Sequence, residues 1–199
     1  MSELTRRPAA AWMSEHVAAH VSLAQELEEV LPSAETVGDL LCRAYAATGV
    51  LYTFGNGGSA ADAQHLSGEM IGRYRRERRP LPAVTLTADA TVTSCIANDY
   101  AYADVFARQV AALARPGDVV VGFTTSGRSA NVVEGLRAAR TAGATTVLFA
   151  GHDGGPARAH ADHTVLVPSR ETPRIQEMHT LLLHVVSEMV DAWAARENP

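Results

Sequence analysis

Residues 50–73, VLYTFGNGGSAADAQHLSGEMIGR, run an apolar segment, a glycine turn and a helix-forming segment together without a break. Val50–Phe54 is apolar and β-rich and reads as a buried strand. Gly55-Asn56-Gly57-Gly58-Ser59 then interrupts regular structure, because glycine reaches the backbone angles of tight turns at little cost. A helix follows from Ala60, with Ser59 expected as its cap. The same order returns further on: VVVGF at 119–123, TTSGRS at 124–129, then a helix over Ala130–Ala142. A strand as uniformly apolar as VVVGF suits a parallel sheet covered on both faces. A chain that repeats strand, polar turn and helix is held to a parallel α/β sheet, with ligands at the carboxyl ends of its strands.

The remaining elements fit that frame. Ala83–Leu86, Thr145–Ala150 and His163–Val167 read as strands, the last at an edge, and Asp89–Asn98 and Asp104–Leu113 as helices. Before the sheet, after an irregular start of roughly ten residues, Ala11–Val30 sets Val17, Val21, Ala24, Leu27 and Val30 at helical spacing, and a long leading helix of this kind often packs against another subunit. Leu31-Pro32 ends it, and a second helix spans Ser33–Thr48, capped by Ser33 and closed by Gly49. A last helix runs from Pro173 to Ala195. The expected architecture is a single domain over 1–199, a three-layer αβα sandwich with a central parallel sheet. Helices over 11–48 precede a core over 50–167, and a long terminal helix over 173–195 follows it.

Composition removes several function classes. The net charge of −5 supplies no global basic field for nucleic acid. The short cluster Arg73-Tyr74-Arg75-Arg76-Glu77-Arg78-Arg79 reads as a solvated loop with one or two working arginines. Cys42 and Cys95 have no metal-type spacing, sit among apolar residues and read as reduced core thiols. No apolar run approaches the roughly 20 residues of a membrane span. The first residues lack the apolar centre of a secretion signal, so a cytoplasmic location is expected. Neither glycine turn matches the dinucleotide fingerprint or the nucleotide-triphosphate loop with its lysine.

Chemistry gathers at the turns. His65 and Glu69 are four residues apart and share a helix face, where an imidazole and a carboxylate can bind a metal, move protons, or do both. The turn before them, with Asn56, Gly57, Gly58 and Ser59, offers N–H groups and hydroxyls at a helix N-terminus, a seat for an oxyanion or a sugar. Thr124, Thr125, Ser126 and Ser129 bring four hydroxyls within six residues at another helix start, which suits a phosphate monoester. Asn98-Asp99 is a polar turn after an apolar segment, so Asp99 is a ligand-facing candidate. On the last helix Gln176 and His184 are eight apart, about two turns, and share a broad face. Taken alone, His184 within LLLHVV reads as a hydrogen-bonded core histidine; with Gln176 it is also placed to complete a site opened by His65 and Glu69.

GNGGSAADAQH, GEMIGRY, SCIANDY, TSGRSANV and RIQEMHTLLLH together resemble the sugar isomerase (SIS) domain, and within it the phosphoheptose isomerases. The resemblance spans about 12–195. It implies a homotetramer with active sites near subunit contacts, and a bound Zn2+. It implies His65, Glu69, Gln176 and His184 as metal ligands, and Glu69 and His184 as the proton-transfer pair. It puts the phosphate on Thr124, Thr125, Ser126 and Ser129, and the sugar near Asn56, Gly57, Gly58, Ser59, Arg73, Asn98, Asp99 and Gln176. The implied reaction converts D-sedoheptulose 7-phosphate to D-glycero-D-manno-heptose 7-phosphate through an enediol. A related SIS family, the DnaA-binding initiation factors, lacks the acid at 69 and the histidine at 184, and both are present here. Thr124, Arg128 and Gly68 stand where serine, asparagine and a second acid are common, which leaves room for another heptose phosphate. Sugar-phosphate-sensing regulatory SIS domains usually accompany a DNA-binding domain, and none is visible in this sequence.

Overall fold

The computed structural model describes residues 9–197. Strands β1 (Leu51–Gly55), β2 (Ala83–Thr85), β3 (Val119–Phe123), β4 (Thr145–Gly151) and β5 (His163–Val167) form one parallel sheet in the order β2-β1-β3-β4-β5. Leu51 pairs with Ala83 on one side and Val119 on the other, Val119 with Thr145, and Val147 with His163. Every residue of β1 and β3 is buried, as their unbroken apolar runs require.

Among the described residues seven α-helices surround the sheet: α1 (Ala9–Glu26), which packs on α7, then α2 (Leu31–Ala46), α3 (Gly58–Ile71), α4 (Ala90–Asp99), α5 (Val105–Leu113), α6 (Ala130–Thr141) and α7 (Thr172–Glu197). Because strand side chains alternate, Leu51, Val119, Val121 and Phe123 join Leu41, Leu66, Met178 and Leu182 in the core under α2, α3 and α7. Tyr52, Phe54, Val120 and Leu148 join Ile96, Phe106, Val110 and Leu136 in the core under α4, α5 and α6. Full burial of such side chains contributes about 1.5–3 kcal/mol each. Phe54 stacks on Phe106 with centroids 4.8 Å apart. Gly135 makes room for that ring, since a Cβ there would stand 2.7 Å from Phe54 Cζ.

Several local expectations change. Ser33 and Ser59 are not caps: α2 starts at Leu31 with Pro32 in its first turn, and α3 starts at Gly58 after Gly57, whose φ is 56°. Proline is favoured early in a helix, where its missing N–H has no partner to lose. The left-handed residue that ends α2 is Thr48, with φ 65°. Gly49 is required instead by the Gly117 carbonyl, which a Cβ at 49 would overlap. Val17 and Val21, on the apolar stripe of α1, are 65% and 50% exposed. Leu23 is buried, and upstream of it α1 is tied to α7 by polar contacts: Arg174 Nη1 donates to the His16 carbonyl at 2.6 Å, and His20 Nδ1 lies 2.7 Å from Glu177 Oε2. Cys95 is exposed rather than buried, its Sγ donating to Asp99 Oδ2 at 3.5 Å. A short 3-10 segment at Pro156–His160 was not foreseen. Of the irregular start, Met1–Pro8 lies outside the described residues, and α1 is already helical at Ala9.

From β1 the chain steps to β2 on one side, then returns to β3 on the other. Crossovers that diverge in this way open a crevice at the carboxyl ends of the two central strands. GNGGS leaves β1 and TTSGRS leaves β3, so both polar turns border that crevice.

Candidate active site

The crevice is a cleft of about 300 Å3 lined by Asn56, Gly57, Gly58, Ser59, Phe123, Thr124, Thr125, Ser129, Thr172 and Gln176. Two helix starts open on it. Gly57, which has no side chain, precedes α3, and Ser129 precedes α6 without capping it, which leaves amide N–H groups available to an anion. Asn56 is fixed by reciprocal amide contacts with Asn131, 2.8 Å in each direction, and by the Tyr102 hydroxyl at 3.1 Å. Thr124 Oγ1 accepts from Gly127 N at 3.2 Å, which folds the second turn around its own hydroxyl. Ser126 faces a neighbouring cleft of about 180 Å3 that also contains Thr125, Arg128, His152 and Arg170.

A second cluster lies where α3 meets α7. His65 Nε2 is 3.1 Å from Glu69 Oε1 and 3.2 Å from His184 Nε2, and one donor atom from each of the three lies within 4.8 Å of the others. Nitrogen and carboxylate donors around a tetrahedral metal, each bonded at about 2.0–2.1 Å, stand on the order of 3.3 Å apart. The spacing and donor set therefore fit a divalent metal such as zinc. The histidine rings meet edge to face, centroids 4.8 Å apart, and Tyr74 stacks on His184 at 5.5 Å. Burial, then the neighbouring His65, lowers the His184 pKa, while Glu69 pulls the other way; the neutral imidazole that a metal or a proton needs is favoured.

The buried core histidine in this helix is His179, not His184. His179 packs edge-on against Phe123 and Phe149, and burial pushes its pKa down to about 4. Gln176 presses on Gly58, where a Cβ would overlap its amide, and so lines the cleft beside the glycine turn. Other candidates are neither among the residues lining the cleft nor in the His65–Glu69–His184 cluster. Arg73 is exposed, donating to the Arg75 carbonyl at 3.2 Å and lying 3.8 Å from Glu77. Asn98 and Asp99 are exposed at the end of α4, where the Asn98 amide donates to Asp99 at 2.8 Å.

The basic loop has a structural role that its composition did not reveal. Asp191 of α7 accepts from the backbone N–H of Tyr74, Arg75 and Arg76 at 3.3, 3.2 and 2.8 Å, and from Arg78 Nε at 3.3 Å. Arg78, also buried, donates to the carbonyls of Met70 and Arg79 at 2.7 and 2.8 Å. The loop is thereby clamped, and it carries Tyr74 onto His184. Tyr74, Tyr102, Asn131 and Thr172 were not among the sequence candidates. Asn131 follows TTSGRS by two residues and was within reach; the others carried no signal.

Comparison with known proteins gives the family. The SIS domain model matches residues 15–151. The phosphoheptose isomerase of Roseiflexus sp. is 45% identical over 181 residues, 90% of this chain and 92% of that protein. The chain belongs to the phosphoheptose isomerases. That of Aquifex aeolicus is 54% identical over 138 residues, 69% of this chain and 72% of the relative. The structure of phosphoheptose isomerase GmhA from Neisseria gonorrhoeae superposes with a TM-score of 0.88 at 38% identity, covering 93% of this chain and 100% of that one. Membership makes this phosphoheptose isomerase homologue an aldose–ketose isomerase rather than an adaptor without chemistry. No described helix is long and apolar enough to cross a membrane.

Proposed function

We propose that this chain interconverts D-sedoheptulose 7-phosphate and D-glycero-D-manno-heptose 7-phosphate, a step in making activated heptose. The observation that carries the reading is the meeting of His65, Glu69 and His184 on α3 and α7, the two helices whose Gly58 and Gln176 line a hydroxyl-rich cleft with two open helix starts. The phosphate would bind Thr124, Thr125, Ser126 and Ser129 and the amides of α6. The sugar would lie against Asn56, Gly57, Gly58 and Ser59 and reach towards Glu69. Binding energy from the remote phosphate positions the reacting carbons, so the proton transfer becomes effectively intramolecular. The Glu69 carboxylate takes the C2 or C1 proton and returns it to the neighbouring carbon through the enediol, acting as base and then as acid. His184, kept neutral, moves a hydroxyl proton between the two oxygens.

His65, Glu69 and His184 would hold zinc, and Gln176 would join them by turning its amide away from Gly58; the chemistry of the ion is to polarise the carbonyl and stabilise negative charge on oxygen. Arg73, Asn98 and Asp99 would join the site across subunit contacts of a homotetramer; the 40% exposure of the His65 side chain agrees with a site that a neighbour completes. The chain is read as one SIS domain acting in the cytoplasm on a small sugar phosphate, with no nucleic acid partner. The test is to incubate the pure protein with sedoheptulose 7-phosphate, with and without a chelator, and follow aldose formation by NMR. Turnover that is lost with chelator, in Glu69→Gln and in His184→Ala, with the fold intact, is the expected result. Preferential turnover of another heptose phosphate would move the substrate assignment, and inactivity toward every ketose phosphate would overturn it.

A further inference from the structure

Helices α3 and α7 meet in three rungs. In the first, the Gln176 amide lies against Gly58. In the third, His65 and His184 are 3.2 Å apart. Between them the Thr180 hydroxyl donates to Asp62 Oδ1 at 2.9 Å, and it also lies 3.2 Å from the Gln176 carbonyl. Gln176, Thr180 and His184 follow one another at intervals of four and share one face of α7, while Asp62 sits one turn before His65 on α3. Asp62 is only 6% exposed, and its Oδ2 is buried with no hydrogen-bond partner. A carboxylate taken from water with one oxygen unpaired is costly unless another charge answers it. Burial pushes the Asp62 carboxyl up, while Thr180 and the neighbouring His65 pull it back.

We propose that Asp62, anchored by Thr180, is a positioning residue for His65, Glu69 and His184: it sets the register of α3 against α7 and keeps an anionic oxygen near the cation that those three would hold. This rests on the metal-dependent reading above. The rise per helical residue is about 1.5 Å, so a slip of one residue between the helices is enough to part donors now 3.2 Å apart. A negative charge one helical turn from His65 favours a bound divalent cation by Coulomb attraction, with Asp62 bonded to Thr180 rather than to the histidine ring. The orphaned Oδ2 is then the cost of keeping that charge in place before the metal arrives.

The test uses the full chain stripped of metal, with zinc affinity read by competition against a chromophoric chelator. Asp62→Asn and Thr180→Val should each weaken zinc binding and lower kcat by about ten- to a hundredfold, with KM little changed, and Thr180→Ser should restore both. Asp62→Asn should also leave the thermal midpoint of the metal-free protein unchanged or higher, because it removes an unpaired buried charge, whereas a merely structural carboxylate would lower it. Unaltered zinc affinity and kcat in Asp62→Asn would overturn the proposal even if Thr180→Val fails to fold. A wild-type protein that binds no zinc would instead refute the metal reading itself, and this inference with it.

Discussion

Replacing Asp191 with asparagine tests how the active-site loop is held. Both side chains of the Asp191–Arg78 pair are fully buried. Asp191 Oδ2 accepts from Arg75 N and Arg76 N, and Oδ1 accepts from Tyr74 N and Arg78 Nε. An amide of the same shape keeps one acceptor and turns an NH2 group on the other pair, leaving two donors facing a donor. Hydrogen bonds to charged groups are worth about 1.5–3 kcal/mol each, and stripping a buried charge of its partner costs about 3–5 kcal/mol. These figures overlap in the same atoms, so the expected loss is about 3–5 kcal/mol rather than their sum. For a chain of this length that lowers Tm by on the order of 10 °C. Urea unfolding at fixed protein concentration measures it, with Glu188→Gln as the control, because the Arg76–Glu188 pair is partly exposed and worth less than about 1 kcal/mol. Activity should fall further than stability, since the freed loop carries Tyr74 off His184. A loss below about 1 kcal/mol in Asp191→Asn would refute the clamp.

Gly135→Ala should destabilise by about 1–3 kcal/mol in the same assay, because its methyl would press on Phe54 Cζ and Phe106 Cβ. Burial pulls the Asp191 carboxyl up, but the backbone N–H groups of Arg76, Arg75 and Tyr74 and the Arg78 guanidinium outweigh it and hold the pKa below the ordinary range. Its contribution is therefore complete above the unfolded-chain value of about 4 and lost as pH falls through the lower folded value; acid titration of stability should show a limb there that Asp191→Asn flattens. Ser129→Ala and Thr124→Val should raise KM for the phosphorylated substrate by about tenfold, with a smaller change in kcat, as steady-state kinetics would read.

The sheet was legible because its signals are local and redundant. VLYTF and VVVGF are too apolar to be anything but covered strands, and each is followed at once by its glycine turn. The pairing of His65 with Glu69 was equally plain, being fixed by helical spacing. What stayed hidden depends on which elements touch. Nothing near Asp191 in the sequence announces that it gathers three N–H groups from residues 74–76. Nothing in LLLHVV says whether the helix turns His179 or His184 to the core; the answer is set by Phe123 and Phe149 on the sheet. On α1, likewise, apolar spacing reveals a stripe but not what covers it, and Val17 and Val21 stay exposed.

The ties of the site that span most of the chain reach α7: Thr180 to Asp62, His184 to His65 and Asp191 to Arg78 span 118, 119 and 113 residues. Such distant closures are slow steps in folding, because chain entropy is spent before the contact forms. The sheet and its glycine turns can therefore be in place while the protein is still chemically mute. Catalytic competence arrives late, as a single docking event, when α7 settles on α3 across separations of 118 and 119 residues.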